Sequence, residues 1–287
     1  MKPPIRHLRD LIAEKMGVTA TNRVIWAPDV PIIYMDNPKA GSTTIKFSLK
    51  QAQAAHYTRR GEAFRRKDEP HKTDDCLRSR GLRLSDCRGR LLISCVRNPF
   101  TRILSAYLDK VRPRDPRYFP ELRSREVDSF EDFLLAVADY KPGRLNFHFR
   151  PQHMNLDFPR LKYSAIFFLE NTAAMSRILG ALSQDLSLQK NAPHSRRARS
   201  RLQEHYTGTA VDRVRKLYSD DFSLFGYGTH LDNVDDVPGE CIVDGSIVPV
   251  GASVDRRRIA PATDLGSSAE FQTTMRFHRL VETLMLN

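Results

Sequence analysis

No stretch of the 287-residue chain approaches the roughly 18 consecutive apolar residues a membrane-spanning helix needs, so no membrane span is expected. The chain starts Met1-Lys2-Pro3-Pro4 and shows none of the apolar core of a secretion signal. Cysteine is scarce. Cys76, Cys87, Cys95 and Cys241 form no CxxC pair, and no Cys/His cluster has zinc-ligand spacing, so a zinc module is excluded. A Cys76–Cys87 disulfide is the one pairing the spacing leaves open, while Cys95 sits in an apolar run and reads as a core thiol. No Asn-x-Ser/Thr sequon occurs. Together these absences point to a soluble, cytoplasmic protein. Repeats and low-complexity tracts are absent too. Lysine is outnumbered, with 12 lysines against 34 arginines.

What is present is a basic, globular composition. Hydrophobic residues make up 40% of the chain and charged residues 28%, enough for a sizeable core. The formal net charge is +12. Charge of that sign favours an anionic partner, and arginine's planar fork suits phosphate, sulfate and carboxylate oxygens.

The patterning alternates strands with helices. Ile32 to Met35 reads as a buried strand, and Thr43 to about Tyr57 as a helix. Leu91–Val96 is a second strand, continuous in apolar character as central parallel strands are. Pro99 opens a helix running to about Lys110, and Ser129 caps a helix over Phe130–Ala138, with Asp132 completing the cap. Ala165–Leu169 is a third strand, followed by helices at 172–182 and about 199–218. This succession predicts an α/β layer fold with a central parallel sheet. Composition shifts near residue 230. Beyond it come an apolar run at 241–250 and an amphipathic segment, Ala269 to Leu286, that reads as a terminal helix.

Two strand ends carry the chemistry. After the first strand comes Asn37-Pro38-Lys39-Ala40-Gly41-Ser42-Thr43-Thr44. A small-residue turn there exposes the first amides of the next helix at the positive end of its dipole, and an anion can be held by those N–H groups. Gly41 allows close backbone approach, Ser42, Thr43 and Thr44 offer hydroxyls, and Lys39 offers an ammonium. An ordinary turn with a solvated lysine has the same local pattern. The segment is not a Walker A motif, because the first glycine is missing and the lysine precedes the only glycine. After the second strand comes Arg97-Asn98-Pro99-Phe100-Thr101-Arg102-Ile103-Leu104-Ser105-Ala106-Tyr107-Leu108-Asp109-Lys110. Arg97 stands at a strand's carboxyl end, where open α/β sheets bind ligands.

These segments together resemble motifs of the carbohydrate sulfotransferases of the chondroitin, dermatan and HNK-1 type, and of their bacterial relatives. His148-Phe149-Arg150-Pro151-Gln152, Phe168-Leu169-Glu170-Asn171 and the run Tyr218 to Tyr227 are similar to further motifs of that family, in the same order. The likeness covers about residues 30–228. It implies a P-loop-NTPase-like three-layer fold and transfer of a sulfuryl group from PAPS (3′-phosphoadenosine 5′-phosphosulfate) to a carbohydrate hydroxyl. It divides the chain into a sulfotransferase domain, 1–228, and a C-terminal extension, 229–287. By resemblance, residues Pro38 to Thr44 grip the donor's phosphosulfate, and Arg97 and Ser105 its 3′-phosphate.

Sulfuryl transfer needs stabilisation of charge on the leaving phosphate, a role for Lys39, and removal of the acceptor's proton. His71, between the two loops, is the leading base, followed by His148, which otherwise shapes the acceptor pocket, and His56. Glu170 is placed to orient a base. No bound metal is expected. The arginine excess favours an acidic poly- or oligosaccharide as acceptor. Two other classes fit less well. A nucleotide kinase needs the missing Walker A, and a nucleic-acid-binding module needs a reader element that the chain lacks. A small molecule or a protein tyrosine is a further acceptor class.

Overall fold

Ile32–Asp36, Leu91–Val96 and Ala165–Phe168 are buried at every position, and they lie side by side as parallel strands β2, β3 and β4. They form the middle of a six-stranded sheet in a computed structural model, which describes residues 23–67, 69, 71–79, 89–112, 119–123, 125–182, 186, 188, 198–252 and 259. The sheet is mixed, which corrects the expectation of a parallel one. β1 (Arg23–Trp26) runs antiparallel to β2 at one edge. At the other edge β5 (Cys241–Val243) runs antiparallel to β4, and β6 (Ser246–Val248) to β5. The last two strands come from the 241–250 apolar run. They turn through Asp244 and Gly245, both at positive φ as a two-residue hairpin requires. The sheet therefore runs past residue 228.

Alternation along the strands divides the core in two. Ile33, Met35, Leu92, Val96, Ile166 and Phe168 face one side, where α2 (Pro99–Ala106), α3 (Phe130–Ala138), α7 (Gly208–Leu217) and α8 (Ser219–Phe225) pack. Tyr34, Ile93, Cys95 and Phe167 face the other, against α1 (Ser42–Arg60) and α5 (Thr172–Leu182). The short α4 (Gln152–Leu156) and α6 (Leu202–His205) complete the described helices longer than one turn.

Local signals account for most boundaries. Ser129 and Asp132 form the reciprocal capping box expected of them. Asn98 caps α2 through Phe100 N, with Pro99 in the first turn. Two helices differ from expectation. Past Ala106, α2 widens into a π-helical turn over Tyr107–Val111. The predicted long helix at 199–218 is broken. Thr207 accepts a hydrogen bond from Ala210 N and starts α7 afresh, while the Tyr206 hydroxyl is drawn aside to Phe100 O at 2.8 Å. Cys76 is a buried free thiol, not half of a disulfide, and Cys95 is buried as expected. Residues 1–22, Cys87 and the terminal segment 269–286 lie outside the described residues.

Candidate functional site

Because β2 and β3 are parallel neighbours, the loops that follow them open at the same edge of the sheet. In the first loop Lys39 (φ 66°) and Gly41 (φ 80°) both have left-handed backbone. The left-handed φ at Gly41 favours glycine, and a Cβ there would also lie 2.8 Å from Leu169 Cδ1. The first hydrogen bond of α1 is Ile45 N to Gly41 O, at 3.1 Å. The amides of Ser42, Thr43 and Thr44 precede it and have no partner within the helix. No acidic residue stands in the first turn of α1. The positive end of a 19-residue helix is therefore free of a carboxylate from its own sequence.

Of the three hydroxyls expected to face an anion, Ser42 does not. Its Oγ donates to buried Asp36 Oδ1 at 2.6 Å, beneath the loop. Lys46 Nζ donates to the other oxygen of Asp36, also at 2.6 Å, and both side chains are almost wholly buried. This pair ties α1 back to the strand that precedes it. Pro38 and Ala40 contribute backbone. Pro38 O accepts from Arg102 Nε at 3.1 Å, and Ala40 N donates to Asn37 O at 3.3 Å. Lys39 Nζ reaches Asp109 Oδ2 at 3.0 Å. Burial presses the Lys39 ammonium toward its neutral form, and Asp109 works against that.

The second loop presents Arg97, of which 5% is exposed. Its Nε donates to Thr101 Oγ1 at 2.9 Å and its Nη1 to Lys39 O at 3.3 Å. Both acceptors are neutral, and among the described residues no ion pair engages this guanidinium. Burial therefore presses the Arg97 guanidinium toward its neutral form next to Lys39, and the Glu170 carboxylate is the chief charge that works against this. Ser105 is buried on α2, two turns beyond Asn98.

A polar frame joins the loops. Gln152 Oε1 accepts from Arg97 N at 2.9 Å and from Asn37 Nδ2 at 3.1 Å, while its Nε2 donates to Arg97 O at 2.8 Å. Gln152 is itself fixed by Asp221, which accepts from Gln152 N at 2.7 Å and His153 N at 2.9 Å. Arg102, fully buried, donates to the carbonyls of Pro38, Arg150 and Phe147 and so has a scaffolding role. Tyr218 donates to Phe149 O at 2.6 Å. Glu170 accepts from Asn98 N and from the Tyr227 hydroxyl, each at 2.9 Å, and burial pushes its carboxyl up. It holds the cap of α2 and, among the described residues, orients no histidine, which corrects the expectation for it.

Of the three candidate histidines, His71 stands at the first turn of α1. Its Nε2 is 3.1 Å from Thr43 Oγ1, and its Nδ1 lies 3.4 Å from Lys46 Nζ, longer than an ordinary hydrogen bond. The segment carrying it is held down by Lys50. That ammonium donates to Asp74 Oδ2 at 2.8 Å and to the carbonyls of Lys67 and Glu69. His148 lies tilted against the Phe147 ring and its Nδ1 pairs with Asn146 Oδ1 at 2.8 Å. Burial, then the positive charges of Lys110, Lys39 and Arg102, lower its pKa to about 3, so its imidazole is neutral at neutral pH. His56 lies in the last two turns of α1, far along the helix from the loop.

Sequence reasoning missed Asp36, Asp109, Gln152 as a bridge, Asp221 and the Lys50–Asp74 pair. Asp36 and Lys46 carry a faint local signal, a carboxylate and a lysine ten residues apart across a strand–turn–helix. The others are brought together only by the fold. A cavity of about 190 Å³ lies elsewhere, lined by Phe158, Tyr163, Ile166, Ile242 and Asp244. Among the described residues no group of three or more His, Cys, Asp or Glu side chains is arranged to hold a metal, and no helix is long and apolar enough to cross a membrane. A family model described as "Sulfotransferase family" matches residues 22–228. No curated protein and no solved structure matches the chain.

Proposed function

Since the chain belongs to the sulfotransferase family over residues 22–228, we propose that it transfers the sulfuryl group of PAPS to a hydroxyl of an acidic poly- or oligosaccharide. The observation that carries this reading is Arg97. A buried guanidinium whose hydrogen-bond partners among the described residues are neutral, next to Lys39 and the first amides of α1, suits a ligand with two separate anionic groups.

The residues fit such a donor. The amides of Ser42, Thr43 and Thr44 and the Lys39 ammonium form the cradle for the phosphosulfate end, and Arg97 and Ser105 the site for the 3′-phosphate. When bound, PAPS supplies an activated sulfuryl group. The reaction breaks the S–O bond to the bridging phosphate oxygen and forms one to the acceptor hydroxyl oxygen. The phosphate keeps the electron pair, and the hydroxyl proton goes to a base. Lys39 and the α1 amides stabilise the charge that grows on the bridging oxygen. Gln152 keeps the two loops at a fixed separation, because it holds Asn37 and both backbone polar groups of Arg97.

For the base, His71 is the stronger candidate. Its Nε2 lies 3.1 Å from Thr43 Oγ1 in the first turn of α1, the end of the helix that would hold the sulfuryl group. His148, buried among cations, is a weak base and suits the wall of the acceptor pocket. His71→Ala is expected to lower kcat by about 100-fold and to leave the affinity for 3′-phosphoadenosine 5′-phosphate within about twofold. A near wild-type kcat at saturating donor removes His71 from the role. The reading as a whole is tested by thermal shift. 3′-Phosphoadenosine 5′-phosphate should raise Tm and ATP should not, and sulfate transfer should follow in a screen of acidic polysaccharides. Stabilisation by ATP alone favours the kinase reading.

A further inference from the structure

Lys39 is engaged by a carboxylate. Its ammonium lies 3.0 Å from Asp109 Oδ2, and Lys110 Nζ lies 3.0 Å from the same oxygen. Two lysines thus share one carboxylate oxygen. Asp109 and Lys110 sit on the π-helical turn Tyr107–Val111, a rare element that recurs at functional sites. Asp109 stays ionised at neutral pH. Burial opposes its charge, but Lys39 and Lys110 outweigh that and hold the carboxyl at about 2.

The sharing has a consequence. A carboxylate that loses its only cation in a half-buried site is left uncompensated, and this opposes the departure. Asp109 has a second cation in place, so Lys39 can leave while the carboxylate stays paired with Lys110. The Lys39 backbone is already in the left-handed conformation that shapes the loop, so only its side chain has to swing.

We propose that Asp109 is a positioning residue that holds Lys39 between turnovers and exchanges it with the donor's phosphosulfate group, keeping Lys110 as its own partner. This rests on the donor-site reading above. Asp109 competes with the nucleotide for one ammonium, so it weakens nucleotide binding and assists release of the bisphosphate product. The sign is unusual for a site residue, because its removal tightens binding.

The test is calorimetry with 3′-phosphoadenosine 5′-phosphate at fixed salt on a double-mutant cycle. Asp109→Asn should bind about three- to thirtyfold tighter than the wild type, with Asp109→Ala as a second variant that accepts no hydrogen bond from Lys39. In a Lys39→Met background the same substitution should change affinity less than about twofold. Steady-state kinetics should show a lower donor KM without a higher kcat. Equal or weaker binding in both Asp109 variants overturns the proposal and leaves the donor site standing. Equal tightening with and without Lys39 also overturns it, because the effect is then the general removal of a negative charge. If the wild type does not bind the bisphosphate, the donor-site reading fails and the proposal fails with it.

Discussion

Arg97→Ala is expected to weaken binding of 3′-phosphoadenosine 5′-phosphate by about 2–5 kcal/mol, a loss of roughly 30- to 5,000-fold. The size follows from burial. A charge-assisted bond to a phosphate in a desolvated site is not replaced by water when the guanidinium is removed. The same substitution should do little harm to the ligand-free fold. The wild-type side chain holds its charge out of water with, among the described residues, only Thr101 Oγ1 and Lys39 O as direct partners. Truncation relieves that desolvation, and it leaves two neutral acceptors to find water. Tm without ligand should therefore move by no more than a few degrees, while the stabilisation by ligand disappears. This opposition separates a binding residue from a structural one. Arg102 supplies the contrast. Its guanidinium serves three backbone carbonyls and should lower Tm on truncation. Arg97→Lys keeps the charge but loses the fork, and should fall between wild type and alanine. Unchanged calorimetric affinity in Arg97→Ala contradicts the assignment.

The parts of this molecule that can be read from sequence are those whose causes are local. β2, β3 and β4 were legible because strands buried on both faces are continuously apolar. The α3 cap was legible because Ser129 and Asp132 are three residues apart. β1 was not. It has only four residues, and its antiparallel place follows from its partner β2. Trp26 within it is flanked by the guanidinium groups of Arg78 and Arg90, which are distant in sequence. Part of the arginine excess thus has an internal use, alongside Arg102 and Arg150, which bond to backbone carbonyls.

The site divides in the same way. Lys39, Gly41 and Arg97 stand out because strand–turn–helix order alone places them at strand ends. The bridge from Asp221 through Gln152 to Arg97 does not. Its links span 69 and 55 residues, and the pattern around Gln152 does not name its partners. The motif resemblance marked those positions without their function. The structure gives them one, since Gln152, Asp221, Tyr218 and Tyr227 support the loops from behind. Ser42 is the instructive miss. Read along the helix it faces the anion, but its hydroxyl donates to Asp36, the last residue of β2.

Asp74→Ala should disable the enzyme without touching the donor. Asp74 Oδ2 accepts from Lys50 Nζ and Lys67 N, and its Oδ1 accepts from Cys76 N and Leu77 N. Both side chains of the Lys50–Asp74 pair are 1% exposed. Removing one partner of such a pair leaves an uncompensated buried ammonium, at a cost of about 3–5 kcal/mol. Global unfolding is not the cheapest response. The segment around residues 62–79 can lift from α1 and let Lys50 reach water, which caps the loss of global stability at the cost of local opening. That segment carries His71, so opening removes the proposed base from the first turn of α1. Hydrogen exchange should rise across residues 62–79 and kcat should fall as in His71→Ala, with nucleotide affinity retained. The pH dependence has a definite sign. Burial raises the Asp74 carboxyl, but Lys50 and the backbone donors outweigh it and hold the pKa below its ordinary value. A depressed carboxylate stabilises fully above its unfolded pKa of about 3.9 and loses that contribution as pH falls through the folded value. The clamp should therefore stay closed through neutral and mildly acidic pH. Exchange protection of 62–79 that is unchanged in Asp74→Ala would show that another contact holds His71 over the helix.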